Sequence, residues 1–150
     1  MSPITTFCQD EDNKKQLGVS GRDWTSCNAD VHAALAADWV VNLDVKLPTV
    51  LDHGIKVLVY SGDKDFVCNW RGGEAWTHAL KWSGQADFQK AEYEDWTVDG
   101  KAAGQLKTSG NFQFLRVYDA GHLVPQDQPE NALAMLRTFI TGELKMEHLE

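Results

Sequence analysis

A short apolar run limits the folds open to this chain more than any other feature of its sequence. Residues 56–60, Lys-Val-Leu-Val-Tyr, are an almost unbroken series of β-branched and apolar residues. Such a series is typical of a central parallel strand that is buried on both faces, because a strand with one wet face alternates apolar and polar side chains. The run therefore favours an α/β fold.

The pattern on either side of this run predicts the order of the other elements. Asn28 is suited to cap a helix that continues to about residue 39, and shorter helices are expected over 13–18 and 46–52. The elements expected downstream are a helix over 74–80, strands within 88–98 and 102–108 on either side of Asp99-Gly100, a strand over 112–118 and a helix from Pro129. The last helix is expected to bury a stripe of apolar residues, Leu133, Leu136, Phe139 and Ile140. This order predicts the closing part of an α/β layer.

Two loops carry the most informative polar side chains. Gly62-Asp63-Lys64-Asp65 follows the apolar run, and Gly121-His122 follows the strand predicted over 112–118. Because open α/β sheets place their sites at the carboxyl ends of strands, Asp65 and His122 are expected to lie close together. An aspartate beside an imidazole fixes its tautomer and stabilises its protonated form, so the pair is typical of the acid and base of a hydrolase triad. The alternative is that Asp65 only caps a turn and that His122 is an ordinary loop residue.

A triad also needs a nucleophile, and the sequence offers none in the expected setting. In α/β-hydrolases the nucleophilic serine lies in a Gly-x-Ser-x-Gly turn, upstream of the acid and the base. None of the six serines of this chain lies in that pattern: Ser2, Ser20, Ser26, Ser61, Ser83 and Ser109. The sequence therefore predicts the back end of a hydrolase that is separated from its nucleophile.

Charge, apolar runs and cysteine content limit the kinds of partner and ligand that this chain can bind. The net charge is −8 with no basic stripe, which argues against nucleic acid as a partner. No apolar run is long enough to cross a membrane, so no membrane partner is expected. The three cysteines, Cys8, Cys27 and Cys68, are an odd number, so either a partner lies outside this chain or one thiol is free. Because no Cys-x-x-Cys or Cys/His spacing is present, no metal site is expected. No cofactor is expected either.

The sequences of the two loops are more specific than the general pattern of an aspartate and a histidine that each follow a strand. Residues 61–70, SGDKDFVCNW, closely resemble the acidic-residue loop of serine carboxypeptidases, especially of carboxypeptidase Y-like enzymes, and residues 118–125, YDAGHLVP, resemble their histidine loop. WTVDG at 96–100 resembles the family's hairpin, and QPENAL at 128–133 is also similar to the family. The resemblance spans most of residues 13–144 and corresponds to the last third of a family member.

The resemblance implies roles for individual residues. Asp65 corresponds to the triad aspartate and His122 to the triad histidine. Cys68 corresponds to the free cysteine that lines the substrate cleft, although a small buried apolar role is an equally plain alternative for a thiol. Leu123, directly after the histidine, corresponds to a residue that shapes the pocket for the leaving residue.

The two remaining cysteines are expected to have lost their partners. Cys27 resembles a family cysteine that pairs with one near the mature N-terminus, and the resemblance implies that Cys8 also pairs with an absent cysteine. The implied fold is the C-terminal portion of an α/β-hydrolase sheet, with parallel strands, flanking helices and an inserted β-hairpin, incomplete without the N-terminal part. Residues 1–45 are then the end of a cap or insertion region, 46–145 belong to the core, and 146–150 are a tail, of which Leu149-Glu150 resemble the scar before a purification tag.

The resemblance implies a fragment or light chain of a serine-type carboxypeptidase, inactive alone and located in the lysosome or vacuole or secreted. Its expected partners are a peptide substrate, bound through the C-terminal residue, a missing heavy chain that carries the nucleophilic serine, and a second copy of the chain. Two alternatives stay open. Carboxypeptidase-like acyltransferases and hydroxynitrile lyases share the scaffold, and a chain without the serine could also be a non-catalytic interaction module.

Overall fold

The computed structural model describes residues 2–142 of the chain. The chain divides into two compact units, Met1–Asn42 and Leu43–Glu150. The tail predicted over 146–150 lies outside the described residues. No helix among residues 2–142 is both long and apolar enough to cross a membrane.

The first unit consists of short capped helices. They are α1 (Pro3–Gln9), α2 (Glu11–Gln16), α3 (Ala29–Ala34) and a 3₁₀ turn at Ala36–Asp38. Asn28 caps α3 as predicted, because its side chain accepts hydrogen bonds from the backbone N–H groups of Asp30 and Val31. The predicted continuation to residue 39 is wrong, since α3 ends at Ala34 and the chain tightens into the 3₁₀ turn. Helix α1 was not predicted.

The second unit is a four-stranded mixed sheet with helices on both faces. Its elements are α4 (Leu47–Asp52, preceded by a 3₁₀ turn at Asp44–Lys46), β1 (Val57–Gly62), α5 (Trp70–Ala79), α6 (Gln85–Lys90), β2 (Tyr93–Val98), β3 (Lys101–Ser109), β4 (Phe112–Val117), α7 (Val124–Asp127) and α8 (Pro129–Thr141). The strand order is β1-β4-β3-β2, with β1 parallel to β4 and the other pairs antiparallel. The predicted α/β class, with parallel strands and an inserted hairpin, is confirmed.

The hairpin between β2 and β3 turns at the predicted dipeptide. Asp99 and Gly100 have φ values of 50° and 72°. A two-residue turn with two positive φ values matches the twist of the strands it joins, which is why Asp-Gly is favoured there.

The core has two parts, one on each face of the sheet. Alternate residues of β4 supply them: Phe112 and Phe114 pack with Leu51 and Phe88, whereas Leu115 and Val117 pack in the other cluster. That second cluster includes Ala132 and Met135 of α8, as well as Trp96 of the hairpin and Val124 of α7. Because side chains alternate along a strand, this division confirms helical layers on both faces.

Three local predictions are wrong. β1 is not a central strand among the described residues, since it pairs only with β4, and its residues 57–59 are half-buried. Residues 88–90 belong to α6 rather than to a strand, because Phe88 is drawn into the core against Phe112, with ring centroids 4.7 Å apart. Helix α8 buries Ala132 and Met135, while the predicted residues Leu133, Leu136 and Ile140 are exposed; of the predicted stripe, Phe139 packs against the core.

Candidate active site

Two neighbouring parallel strands bring their loops to the same edge of the sheet. Gly62, the last residue of β1, lies in register with Val117, the last residue of β4. The backbone N–H of Asp63 donates to the carbonyl of Val117 at 2.9 Å, and that of Lys64 donates to the carbonyl of Ala120, also at 2.9 Å. The loop after β1 is therefore fastened to the loop after β4 by main-chain hydrogen bonds.

Gly62 allows this close approach. A Cβ atom at this position would overlap the carbonyl oxygens of Ala120 and Gly121. Only a residue without a side chain lets the two backbones lie so close, and the requirement comes from packing, because no positive φ is involved. The glycine thus sets the separation of the loops that carry Asp65 and His122.

Asp65 is a buried carboxylate with three hydrogen-bond donors. Its Oδ1 accepts from the backbone N–H groups of Val67 and Cys68, at 2.9 and 3.0 Å. Its Oδ2 lies 3.0 Å from Nδ1 of His122. The turn of residues 65–68 therefore holds one oxygen and aims the other at the imidazole.

The environment of Asp65 favours its ionised form. Burial opposes ionisation, but the hydrogen bonds from His122, Cys68 and Val67 outweigh it, so the pKa of Asp65 lies below its ordinary value of 3.8. The carboxylate is consequently negative near neutral pH and accepts a hydrogen bond from the Nδ1–H group of His122.

The loop of His122 is held by Asp127. The carboxylate of Asp127 accepts from the backbone N–H of Gly121 at 2.7 Å. Nearby, the exposed ammonium of Lys64 forms an ion pair with Asp119 at 2.6 Å, and the φ of Asp119 is 55°. These contacts fix the main chain immediately before the histidine.

This arrangement can act as an oriented base. With Nδ1 donating to Asp65, the lone pair of the ring lies on Nε2, which is the nitrogen that can accept a proton. The side chain of His122 is 59% exposed, so a reacting group can approach it. Among residues 2–142, Asp65 is the hydrogen-bond partner of this ring. The geometry is that of the acid and base of a triad.

The family model of the serine carboxypeptidases matches residues 1–142. The chain belongs to the serine carboxypeptidase family. Among curated relatives, serine carboxypeptidase 3 of Oryza sativa subsp. japonica is 44% identical over 148 residues, which are 99% of this chain and 30% of the relative. Serine carboxypeptidase 3 of Triticum aestivum is 44% identical over 144 residues, covering 96% of this chain and 29% of the relative. The chain thus spans less than a third of the length of these two relatives.

A solved structure supports the same assignment. The crystal structure of a prohormone-processing carboxypeptidase from Saccharomyces cerevisiae superposes with a TM-score of 0.74 at 26% identity. The match covers 93% of this chain and 31% of that protein. The four-stranded sheet with its helices is therefore part of the larger carboxypeptidase fold.

The other residues singled out by the family resemblance lie in different settings. Cys68 is exposed and closes the turn that binds Asp65. Leu123 is 58% exposed beside the histidine, at the start of α7. Cys8 and Cys27 lie in the first unit, and all three thiols are free in the structure. Their disulfide partners and the substrate contacts stay predictions.

The sequence pattern did not single out Asp127, which holds the loop of His122. Asp127 lies two positions after Pro125 and six after Gly121, at the end of the short helix α7, which is not among the elements predicted from the sequence. An aspartate near a Gly-His pair is a usable signal, because carboxylates often accept backbone N–H groups in tight turns. The backbone N–H groups of Val67 and Cys68 show that Asp65 also caps a turn, which the sequence offered only as an alternative to its pairing with His122.

Proposed function

We propose that this chain is the C-terminal part of a serine-type carboxypeptidase that releases C-terminal residues from peptides through an acyl-enzyme. In this proposal His122 is the general base and Asp65 orients it and stabilises its protonated form. The observation that carries the proposal is the 3.0 Å contact between Nδ1 of His122 and Oδ2 of the buried Asp65. Membership of the serine carboxypeptidase family supports the reaction class.

The nucleophile of this reaction is proposed to come from the part of the parent that precedes these residues. The chain covers 30% of its rice relative, and its own serines do not lie in the Gly-x-Ser-x-Gly pattern. A base without a positioned nucleophile gives at most weak catalysis, so the chain alone is expected to be inactive. The preceding part could be a heavy chain or the same polypeptide.

A further part of the proposal concerns the substrate and the compartment. Cys68, three residues after Asp65, and Leu123, directly after His122, are both exposed and are proposed to contact the terminal residue of the peptide. The parent is proposed to work in the lysosome or vacuole or outside the cell, as the family assignment suggests. The net charge of −8 and the absence of a basic stripe support a partner other than nucleic acid.

A chimera tests the proposal. The last portion of the rice relative is replaced by residues 1–142, and release of the terminal residue from a blocked dipeptide is measured together with labelling by a fluorophosphonate. We expect turnover and labelling in the chimera but neither in the isolated chain. Within the chimera, His122→Ala should lower kcat by roughly 10³-fold or more. The matched control is His53→Ala, at an exposed histidine after α4, which should keep full activity.

Three results would contradict the proposal. Labelling of a serine in the isolated chain would show that a nucleophile was overlooked. A folded chimera that is labelled but equally active with and without His122 would remove the base from its proposed role. Transfer of an acyl group to an alcohol without release of a terminal residue would favour the acyltransferase alternative.

A further inference from the structure

The loop edge of the sheet gathers three different metal-ligating side chains. Asp65, Cys68 and His122 each offer one ligand atom, and these atoms all lie within 4.8 Å of one another. In a tetrahedral zinc site, bonds of about 2.0 to 2.3 Å place ligand atoms roughly 3.3 to 3.7 Å apart. The separations in the structure thus exceed this range by about 1 Å at most.

The turn of residues 65–68 fixes the relative positions of two of the ligands, Asp65 and Cys68. Because Oδ1 of Asp65 is occupied by the backbone N–H groups of Val67 and Cys68, Oδ2 is the oxygen left for an ion. The same two hydrogen bonds fix the path of the chain between the carboxylate and the thiol. The third ligand, His122, faces Oδ2 at 3.0 Å.

Access and charge also suit a cation. Cys68 and His122 are exposed, so an ion can enter from solvent without opening the core. Asp65 is 8% exposed and supplies a buried negative charge. A set of one sulfur, one nitrogen and one oxygen matches the donor preference of Zn²⁺ and leaves a fourth position for water.

We propose that Asp65, Cys68 and His122 form a binding site for a single Zn²⁺ ion. Binding removes the thiol proton of Cys68, which is released to solvent, so the site is thiolate, imidazole and carboxylate. A neutral imidazole has one nitrogen with a free lone pair, and the ion binds that nitrogen. If the ion binds Nδ1, the ring proton moves to Nε2. If it binds Nε2, the lone pair of Nε2 is no longer available to accept a proton. Zinc therefore blocks the base, a consequence that rests on the proposed function, whereas the binding itself does not.

Titration of the isolated chain with Co²⁺, which reports its ligands by colour, tests the site. Thiolate ligation gives a charge-transfer band in the near ultraviolet, and we expect it to saturate at one Co²⁺ per chain and to disappear when Zn²⁺ is added. Cys68→Ser should abolish the band, and His122→Gln should weaken Co²⁺ binding about tenfold or more, because each removes a ligand. Cys27→Ser is the matched control, since it removes an exposed thiol outside the cluster and should leave the titration unchanged.

A second measurement uses the unaltered chain and needs no variant to fold. Zn²⁺ should slow alkylation of Cys68 by iodoacetamide at least severalfold and leave the rate at Cys27 unchanged, as read by peptide mass spectrometry. A native chain without the thiolate band, a band that survives in Cys68→Ser, or equal protection of the two cysteines would overturn the proposal. None of these readouts depends on hydrolysis, so failure here is distinct from failure of the chimera.

Discussion

Asp65 is the residue on which the site depends most directly, and its ionisation is coupled to folding. Its pKa is lower in the folded chain than the ordinary 3.8, because the donated hydrogen bonds outweigh the effect of burial. A carboxyl group with a depressed pKa contributes stability above its unfolded pKa and loses it as pH falls through the folded pKa. Asp65 therefore contributes to stability near neutrality and loses that contribution below about pH 4.

Replacement by asparagine checks this linkage. Asp65→Asn should lower the free energy of unfolding at pH 6 and should reduce the loss of stability between about pH 4 and pH 2. Urea unfolding at several pH values measures both effects. Asp95→Asn, on an exposed part of β2, makes the same change in charge and should not reduce that loss as Asp65→Asn does. An unaltered pH profile in Asp65→Asn would show that the hydrogen bonds to this carboxylate do not favour its charge.

At the scale of residues, sequence pattern predicted the pairing of Asp65 with His122 because each follows a strand and parallel strands share one edge. The pattern could not place Cys68 beside them as a third ligating group. The nearness of Cys68 to His122 arises from the pairing of β1 with β4, whereas metal-binding motifs are recognised by the spacing of ligands along the chain. Rules that use the spacing of residues along the chain do not predict contacts that arise from strand pairing.

At the scale of elements, the junction between β1 and the loop after β4 is the most sensitive point. A methyl group at Gly62 would meet two backbone carbonyl oxygens, which cannot rotate away. We expect Gly62→Ala to destabilise the chain by about 1 to 3 kcal/mol, as overpacking does elsewhere, and to weaken the contact between Asp65 and His122. Thermal unfolding and the NMR shifts of the His122 ring measure the two effects.

Gly72 provides the matched control for this change. It lies in α5, where the atoms nearest to an added Cβ atom belong to the side chain of Asn69, at an ordinary 3.5 Å or more. Gly72→Ala should be neutral or stabilising by up to about 1 kcal/mol, because alanine restricts the unfolded chain and favours a helix. Equal destabilisation by both substitutions would show that the gap between the two loops is not what requires glycine at position 62.

Helix boundaries were predictable where a cap or proline marks them, and less so elsewhere. Asn28 and Pro129 begin α3 and α8 as expected. The choice of buried face in α8 was not predictable, because that helix carries two adjacent apolar stripes with the same spacing. One stripe contains Ala132 and Met135 and faces the sheet, and the other contains Leu133, Leu136 and Ile140 and is exposed.

At the scale of the whole molecule, the exposed apolar stripe of α8 and the unpaired side of β1 have the same explanation. A strand with one described neighbour presents unpaired backbone groups, and an exposed helix stripe presents apolar surface. The chain matches 31% of its structural neighbour, and we expect the rest of such a protein to cover both surfaces. The isolated chain is therefore expected to self-associate or to be marginally stable.

Charge placed on the exposed stripe tests this expectation. Leu136 is 52% exposed, so Leu136→Glu should shift the chain toward monomer, by at least a severalfold rise in the dissociation constant, without lowering its melting temperature. Sedimentation velocity over a concentration series measures the shift. Arg137→Gln, exposed on the same helix, changes the net charge by the same amount and should leave association unchanged.

The outcomes distinguish two explanations. If the unaltered chain is strictly monomeric and unfolds in one cooperative transition, the exposed stripe does not cause association, and the four-stranded sheet is stable without further strands. If Leu136→Glu dissociates the oligomer and Arg137→Gln does not, the apolar face of α8 is the surface through which copies of the chain associate.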